Sequence, residues 1–268
     1  MNIGIIGYGS MGRMLTEKFA AAGKPENGSI FVSSRTKEKL RTLPAGVTGC
    51  GSNSEAAARA DMVFLCVKPG DMKGILEEIR PALKPEALLV SLNGSITFAQ
   101  LEKIIAGRIA KMIPSVTAEI SRSQTLVCFN RQTAAEDRQA LQELLGCIGE
   151  VIELPEEEMG MGSELASCMP GFIAAVFDVI CRAAGKHTEI PADQVIRMVL
   201  KTMTATGEMM LRKNMSFDDV VARVATRGGI TEEGTKVIYG EFPATADRLF
   251  ENTLAKRKQT AESAAESF

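Results

Sequence analysis

Met1-Asn2-Ile3-Gly4-Ile5-Ile6-Gly7-Tyr8-Gly9-Ser10-Met11-Gly12-Arg13 is the stretch that decides the fold. An apolar run of strand length ends in G-x-G-x-x-G, and the residues after it, Met14-Leu15-Thr16-Glu17-Lys18-Phe19, carry helical periodicity. In that context Gly7 permits a tight turn. Gly9 lets the backbone approach a pyrophosphate, and Gly12 lets helix and strand pack closely. The free N–H groups of the helix start then face the anion, with Tyr8, Ser10 and Met11 completing the loop. The other reading of these residues is a glycine-rich turn without a ligand.

Working outward, the second strand reads Ser29-Ile30-Phe31-Val32-Ser33 and runs into Ser34-Arg35-Thr36-Lys37. A site for NAD usually closes this strand with Asp or Glu, which bonds the adenosine ribose. Here hydroxyls and two cations stand in that place. Ser33, Ser34 and Arg35 therefore favour NADPH, with NADH as the alternative. Asp61 to Val67, Ala87 to Leu92 and Ile109 to Ile113 read as further buried strands. They end in Lys68-Pro69, Asn93-Gly94 and Pro114-Ser115. Thr125 to Phe129 and Glu150 to Leu154 complete the sheet, with a helix over 133–146 between them. Strands alternating with helices predict a parallel sheet covered on both faces, whose ligand lies at the carboxyl ends of the strands. Val67, Lys68, Pro69, Asn93, Gly94, Pro114 and Ser115 are thus expected beside the cofactor.

Composition narrows the chemistry. In 268 residues there are 31 Lys and Arg against 33 Asp and Glu, so the net charge of -2 argues against nucleic acid as a partner. One His, His187, excludes a three-His zinc site within the chain and leaves acid–base chemistry a single imidazole. No metal is expected. None of the six cysteines stands at C-x-x-C spacing, which fits buried thiols in a reducing cytoplasm. The N-terminus reads directly as a strand rather than a secretory signal. The apolar runs fall short of the roughly 18 residues that suggest a membrane span. A cytoplasmic protein without a membrane partner is the expectation.

Beyond Leu154-Pro155 the pattern turns wholly helical. Glu156-Glu157-Glu158 reads as a solvated helix start. Phe172 to Ala184 and Val195 to Leu211 are so apolar that burial on most sides is expected, partly in a subunit interface. The organisation predicted is α/β for residues 1–154, then an all-α domain over residues 155–268. In the second half Ser216 to Arg227 reads as a short helix entering Gly228-Gly229-Ile230-Thr231-Glu232-Glu233-Gly234. Two glycines before a helix expose backbone N–H groups that suit a carboxylate, and the Thr231 hydroxyl can donate and accept. An ordinary turn, with Gly ending one helix and Thr231 capping the next, fits the same residues.

Together these segments resemble the pyrroline-5-carboxylate reductase family over nearly the whole chain. The likeness rests on the N-terminal G-x-G-x-x-G with Ser34-Arg35, on Val67-Lys68-Pro69, on Met112-Ile113-Pro114, and above all on Gly228 to Gly234, which fits G-G-x-T-x-x-[AG]. The chain is most similar to a divergent branch that includes late-competence proteins. The resemblance implies a Rossmann-type doubly wound sheet followed by an α-helical dimerisation domain. It also implies NADPH-dependent reduction of a cyclic imino acid, 1-pyrroline-5-carboxylate, to proline, in a homodimer or a ring of dimers. By the same resemblance Thr226, Arg227, Gly228, Gly229, Ile230 and Thr231 hold the substrate, with Thr231 on the ring nitrogen as the catalytic hydroxyl. Three segments depart from the family pattern. Thr226-Arg227 replaces Ser-Pro, Pro114-Ser115-Val116-Thr117 replaces Pro-Asn-Thr-Pro, and Ser167 to Phe172 replaces Gly-Ser-Gly-Pro-Ala-Tyr. Two alternatives stay open: an NADP-binding regulatory protein of the same fold, and a reductase of another imine or carbonyl. A catalytic Lys on the first helix of the second domain, as in hydroxyacid dehydrogenases, is missing, because Met159 to Phe177 contains neither Lys nor Asn.

Overall fold

A computed structural model describes residues 1–266 and 268. Eight strands form one sheet in the order β3-β2-β1-β4-β5-β6-β7-β8. They are β1 (Ile3–Ile6), β2 (Ile30–Ser33), β3 (Val47–Gly49), β4 (Met62–Leu65), β5 (Leu88–Ser91), β6 (Arg108–Ile113), β7 (Ser123–Phe129) and β8 (Gly149–Glu153). β1 to β6 are mutually parallel, so the order reverses beside β1, where a doubly wound sheet offers its crevice.

The side chains of the central strands divide by the period of two. Ile3, Ile5, Val32, Phe64 and Val90 point to one layer and join Leu15 and Phe19 of α1 (Ser10–Ala21) and Leu141, Leu144 and Leu145 of α5 (Ala135–Leu145). Ile6, Val63, Leu65, Leu89 and Ile109 point to the other. That layer is filled by α2 (Asn53–Arg59), α3 (Met72–Ile79) and α4 (Phe98–Leu101). A strand covered on both faces must be apolar at every position, which is why Ile3–Ile6 and Met62–Leu65 show no alternation.

One expectation about the sheet is corrected. β7 runs antiparallel to β6. The nine residues 114–122 between them hold only a 3-10 turn, Val116–Ile120, and a parallel return needs a crossover of a dozen residues or more. β8 then pairs parallel to β7, after the α5 crossover.

The chain divides into two compact units. The first is Met1–Pro170 together with Leu254–Phe268, and the second is Gly171–Thr253. The first unit also contains α6 (Met159–Ser163) and a π-helical turn, Glu164–Cys168. α7 (Met169–Ala184), α8 (Ala192–Lys213), α9 (Phe217–Val224) and α10 (Ile230–Ala265) follow, and His187 lies in the loop between α7 and α8. The last turns of α10 belong to the first unit, and Ala264 is buried in its core.

Three further expectations change here. The apolar helices are not covered within the chain: α7 has no buried residue, and Leu211 on α8 is 84% exposed. The continuous helical stretch Glu156–Ala184 is also long and apolar enough, by length and composition, to cross a membrane, with a mean hydropathy of 1.6 in its best window. Leu165, Phe172, Ile173, Val176, Phe177, Val179 and Ile180 carry that average although Ser167, Pro170 and Asp178 interrupt the run, so counting uninterrupted apolar residues underestimated it. Glu156, for its part, is no solvated helix start. Its Oε1 accepts from the Phe98 N–H at 2.8 Å and from Lys111 Nζ at 2.9 Å. That holds Lys111, 2% exposed in the middle of β6, as an ion pair.

Candidate functional site

The loop after β1 is built by two steric requirements. Gly7 has φ +97°, and a Cβ there would lie 2.5 Å from the Cys66 carbonyl oxygen. A Cβ on Gly12 would lie 2.0 Å from the Gly7 carbonyl oxygen, so the start of α1 sits against the turn it leaves. Gly9 differs: its backbone is extended and nothing lies within 4 Å of a Cβ placed there. Gly9 is the N-cap of α1 and offers no side-chain cap, so the first N–H groups of α1 keep their donors for a ligand.

A cleft of about 630 Å³ opens beside this loop, at the carboxyl ends of β1, β2 and β4. Of the residues expected at a cofactor, it brings together Gly7, Tyr8, Gly9, Ser34, Arg35, Val67 and Lys68. Others have structural positions nearby. Ser33 is fully buried and donates to Asn53 Oδ1 at 2.7 Å. Gly12 packs on Gly7, and Ser10 and Met11 open α1. Pro69 begins the turn Pro69–Asp71. Asn93 and Gly94 follow β5, where the Asn93 side chain accepts from the Ser95 N–H at 2.9 Å. Pro114 and Ser115 follow β6: the Pro114 carbonyl accepts from Ser167 Oγ at 3.0 Å, and Ser115 caps the 3-10 turn.

The cleft also contains residues that sequence reasoning missed. Lys39, Asn53, Asp71 and Glu78 line it, beside Thr36 of the segment that follows β2. Lys39 replaces Lys37 as the second cation, because Lys37 Nζ donates to the Gly51 carbonyl at 2.7 Å. The 3-10 helix Lys37–Thr42 rotates successive side chains by about 120°, so residues two apart such as Lys37 and Lys39 face different sides, a spacing the sequence shows only once that helix is known. Asn53 donates to Glu78 at 2.7 Å and so links β2 to α3 across the cleft floor. Arg35 reaches Asp71 with Nη2 at 3.2 Å and Nη1 at 3.4 Å. No carboxylate closes β2, and the glycine cradle fits a pyrophosphate. The residues present therefore suit a dinucleotide carrying a phosphate near Arg35 and Lys39.

Thiol chemistry is not offered here. Burial pushes the Cys66 thiol up to about 12 and the Cys128 thiol up to about 11. All six cysteines are free. Burial also raises the Tyr8 hydroxyl, which has no hydrogen-bond partner among the described residues.

In the second unit α9 ends at Val224, and Gly228 turns the chain with φ +73°. A Cβ on Gly229 would lie 2.5 Å from Thr226 Oγ1, so both glycines are required, one for conformation and one for space. α10 begins at Ile230, which places Thr231 inside its first turn rather than at the cap. The Gly228 N–H donates to the Glu232 carboxylate at 2.6 Å, and the Gly229 N–H to the Thr226 carbonyl at 2.8 Å. The N–H groups of Ile230 and Thr231 have no backbone acceptor among the described residues. A turn whose amides already hold one carboxylate, with two more amides and a hydroxyl beside it, can bind an anion and donate one further hydrogen bond.

Comparison with known proteins agrees with this architecture. A family model described as "NADP oxidoreductase coenzyme F420-dependent" matches residues 2–94, and one described as "Pyrroline-5-carboxylate reductase dimerisation" matches residues 156–260. Pyrroline-5-carboxylate reductase 3 of Bacillus subtilis is 32% identical over 95% of this chain and 94% of its own length. ComE operon protein 4 of the same organism is 25% identical over 97% of this chain and 96% of its own. Among solved structures, Plasmodium falciparum pyrroline carboxylate reductase with NADP bound superposes with a TM-score of 0.85, at 20% identity, over 97% of this chain and 98% of the other.

Proposed function

The chain belongs to the pyrroline-5-carboxylate reductase family, and from that premise we propose that it is an NAD(P)H-dependent reductase of a cyclic imino acid, 1-pyrroline-5-carboxylate being the substrate and proline the product. The observation that carries the proposal is the Gly228-Gly229-Ile230-Thr231 turn. It joins amide groups able to hold a carboxylate to a hydroxyl able to reach a ring nitrogen.

The roles follow from the chemistry each group offers. Gly7, Gly9 and Gly12 shape the pyrophosphate cradle, and Ser34, Arg35 and Lys39 meet the adenosine phosphate. A reduced dinucleotide held in the cleft would supply the hydride for the C=N carbon. The N–H groups of Ile230 and Thr231 fix the substrate carboxylate, and Thr226 and Arg227 border it. The Thr231 hydroxyl holds the ring nitrogen, which carries its proton into the product amine. A protonated imine is already electrophilic, so the protein's task is orientation and no His, Cys or metal is required. The family's dimerisation region spans residues 156–260. We therefore take residues 155–268 as the substrate and dimerisation domain and residues 1–154 as the cofactor domain. The apolar helix Glu156–Ala184 is then covered by a second copy rather than by lipid, in a cytoplasmic homodimer.

The test is NADPH oxidation with 1-pyrroline-5-carboxylate. Turnover is expected, and Thr231→Ala should lower kcat by about 10- to 100-fold, the effect of removing one hydrogen bond to a charged group. Dinucleotide binding without turnover on any cyclic imine, at high enzyme concentration, overturns the substrate assignment. It would favour the regulatory alternative, which the altered segments Pro114 to Thr117 and Ser167 to Phe172 motivate.

A further inference from the structure

We propose that Asp71 sets the choice between phosphorylated and unphosphorylated dinucleotide by competing with the 2′-phosphate for Arg35. The inference rests on the cofactor assignment above and deepens it.

Arg35 follows β2 and Asp71 follows β4, so the two reach each other from opposite walls of one cleft. Both nitrogens of the guanidinium fork are engaged, Nη2 to Oδ2 at 3.2 Å and Nη1 to Oδ1 at 3.4 Å. That forked face is the one a phosphate would use, since carboxylate and phosphate oxygens match the guanidinium in the same bidentate way. Arg35 can serve one of them fully at a time. The pair lies at the mouth of the cleft, with the Arg35 side chain 83% exposed, so an entering anion meets it first.

Charge adds to competition. Asp71 presents a negative group to the space beside Arg35 and repels a phosphate there. A ribose hydroxyl meets no such repulsion and can donate to a carboxylate. Lys39, on the same wall as Arg35, makes no ion pair among the described residues and remains available to either cofactor. Glu78 is already engaged by Asn53. Asp71 is therefore the acidic group whose removal changes the terms for the phosphate.

The experiment is direct titration of the purified full chain with NADPH and with NADH, followed by nucleotide fluorescence at low ionic strength, for wild type, Asp71→Asn and Asp71→Ala. Asn keeps the size of Asp71 and suits the start of α3, where Asp71 makes no side-chain cap bond. The NADPH dissociation constant is expected to fall by about two- to fivefold in both variants, the range for releasing an exposed ion pair, with NADH changed less. The gain should shrink as salt is added. An unchanged NADPH to NADH ratio in both variants overturns this inference alone. Failure of the wild type to bind either dinucleotide overturns the cofactor assignment, and this inference with it.

Discussion

Three glycines of one loop are alike in the motif and unlike in the fold. Gly12→Ala puts a Cβ 2.0 Å from the Gly7 carbonyl oxygen, backbone against backbone, with no flexible side chain to yield. Thermal denaturation should show a loss of about 1–3 kcal/mol. Gly9→Ala meets nothing within 4 Å and keeps an extended backbone. It should melt with the wild type yet bind NADPH more weakly, because its Cβ fills the approach to the pyrophosphate. Equal loss of stability in both variants would mean that Gly9 is structural. The sequence identified these residues by spacing, and spacing also located Arg35. It did not separate Lys39 from Lys37, since that depends on how a 3-10 helix turns. Nor did it find Asp71, whose partner is 36 positions away.

Elements were legible where burial left no choice of residue. β1 and β4 carry no polar side chain because both faces are covered, and the sequence shows them as unbroken runs. β3 escaped notice: it has three residues and an exposed edge, so little in it had to be apolar. The direction of β7 is carried by the length of its connection, not by its composition. Pairing at the start of β4 depends on a charged tie that periodicity cannot show. The Asp61 carboxylate accepts from the Asn2 N–H at 2.7 Å and from Lys84 Nζ at 2.6 Å, joining the ends of β1, β4 and β5. Partial burial pushes the Asp61 carboxyl up, but Lys84 and the Asn2 N–H together outweigh it and hold the group below its ordinary value. A carboxyl depressed in the folded state stabilises above its unfolded pKa, about 3.9, and loses that contribution as pH falls through the folded value. Asp61→Asn should therefore lower Tm at pH 7, and the gap to wild type should narrow as the pH is brought below about 3.9. A gap of the same size at both pH values would show that the carboxylate charge is not what ties the strands.

At the scale of the molecule, the second unit cannot be explained as a free-standing bundle. α7 to α10 bring apolar residues to the surface in numbers a soluble monomer rarely leaves uncovered. The sequence foretold their apolar character and an interface, yet overestimated how much the chain would bury by itself. The family's dimerisation region over residues 156–260 supports oligomer formation, and we take the cover to be a further copy of the same chain. Light scattering should give twice the 28.8 kDa chain mass or a multiple of it. Leu211→Glu, at a residue 84% exposed in the single chain, should lower that mass. A wild-type monomer at micromolar concentration would contradict the dimer.

The return of α10 to the first unit also bears on how the protein is made. Met1–Pro170 emerges first from the ribosome, but its core includes Ala264, 94 residues after Pro170. Domains generally fold in order of synthesis. Here the cofactor domain, first in the sequence, stays one helix short of its final packing until Ala264 has left the ribosome.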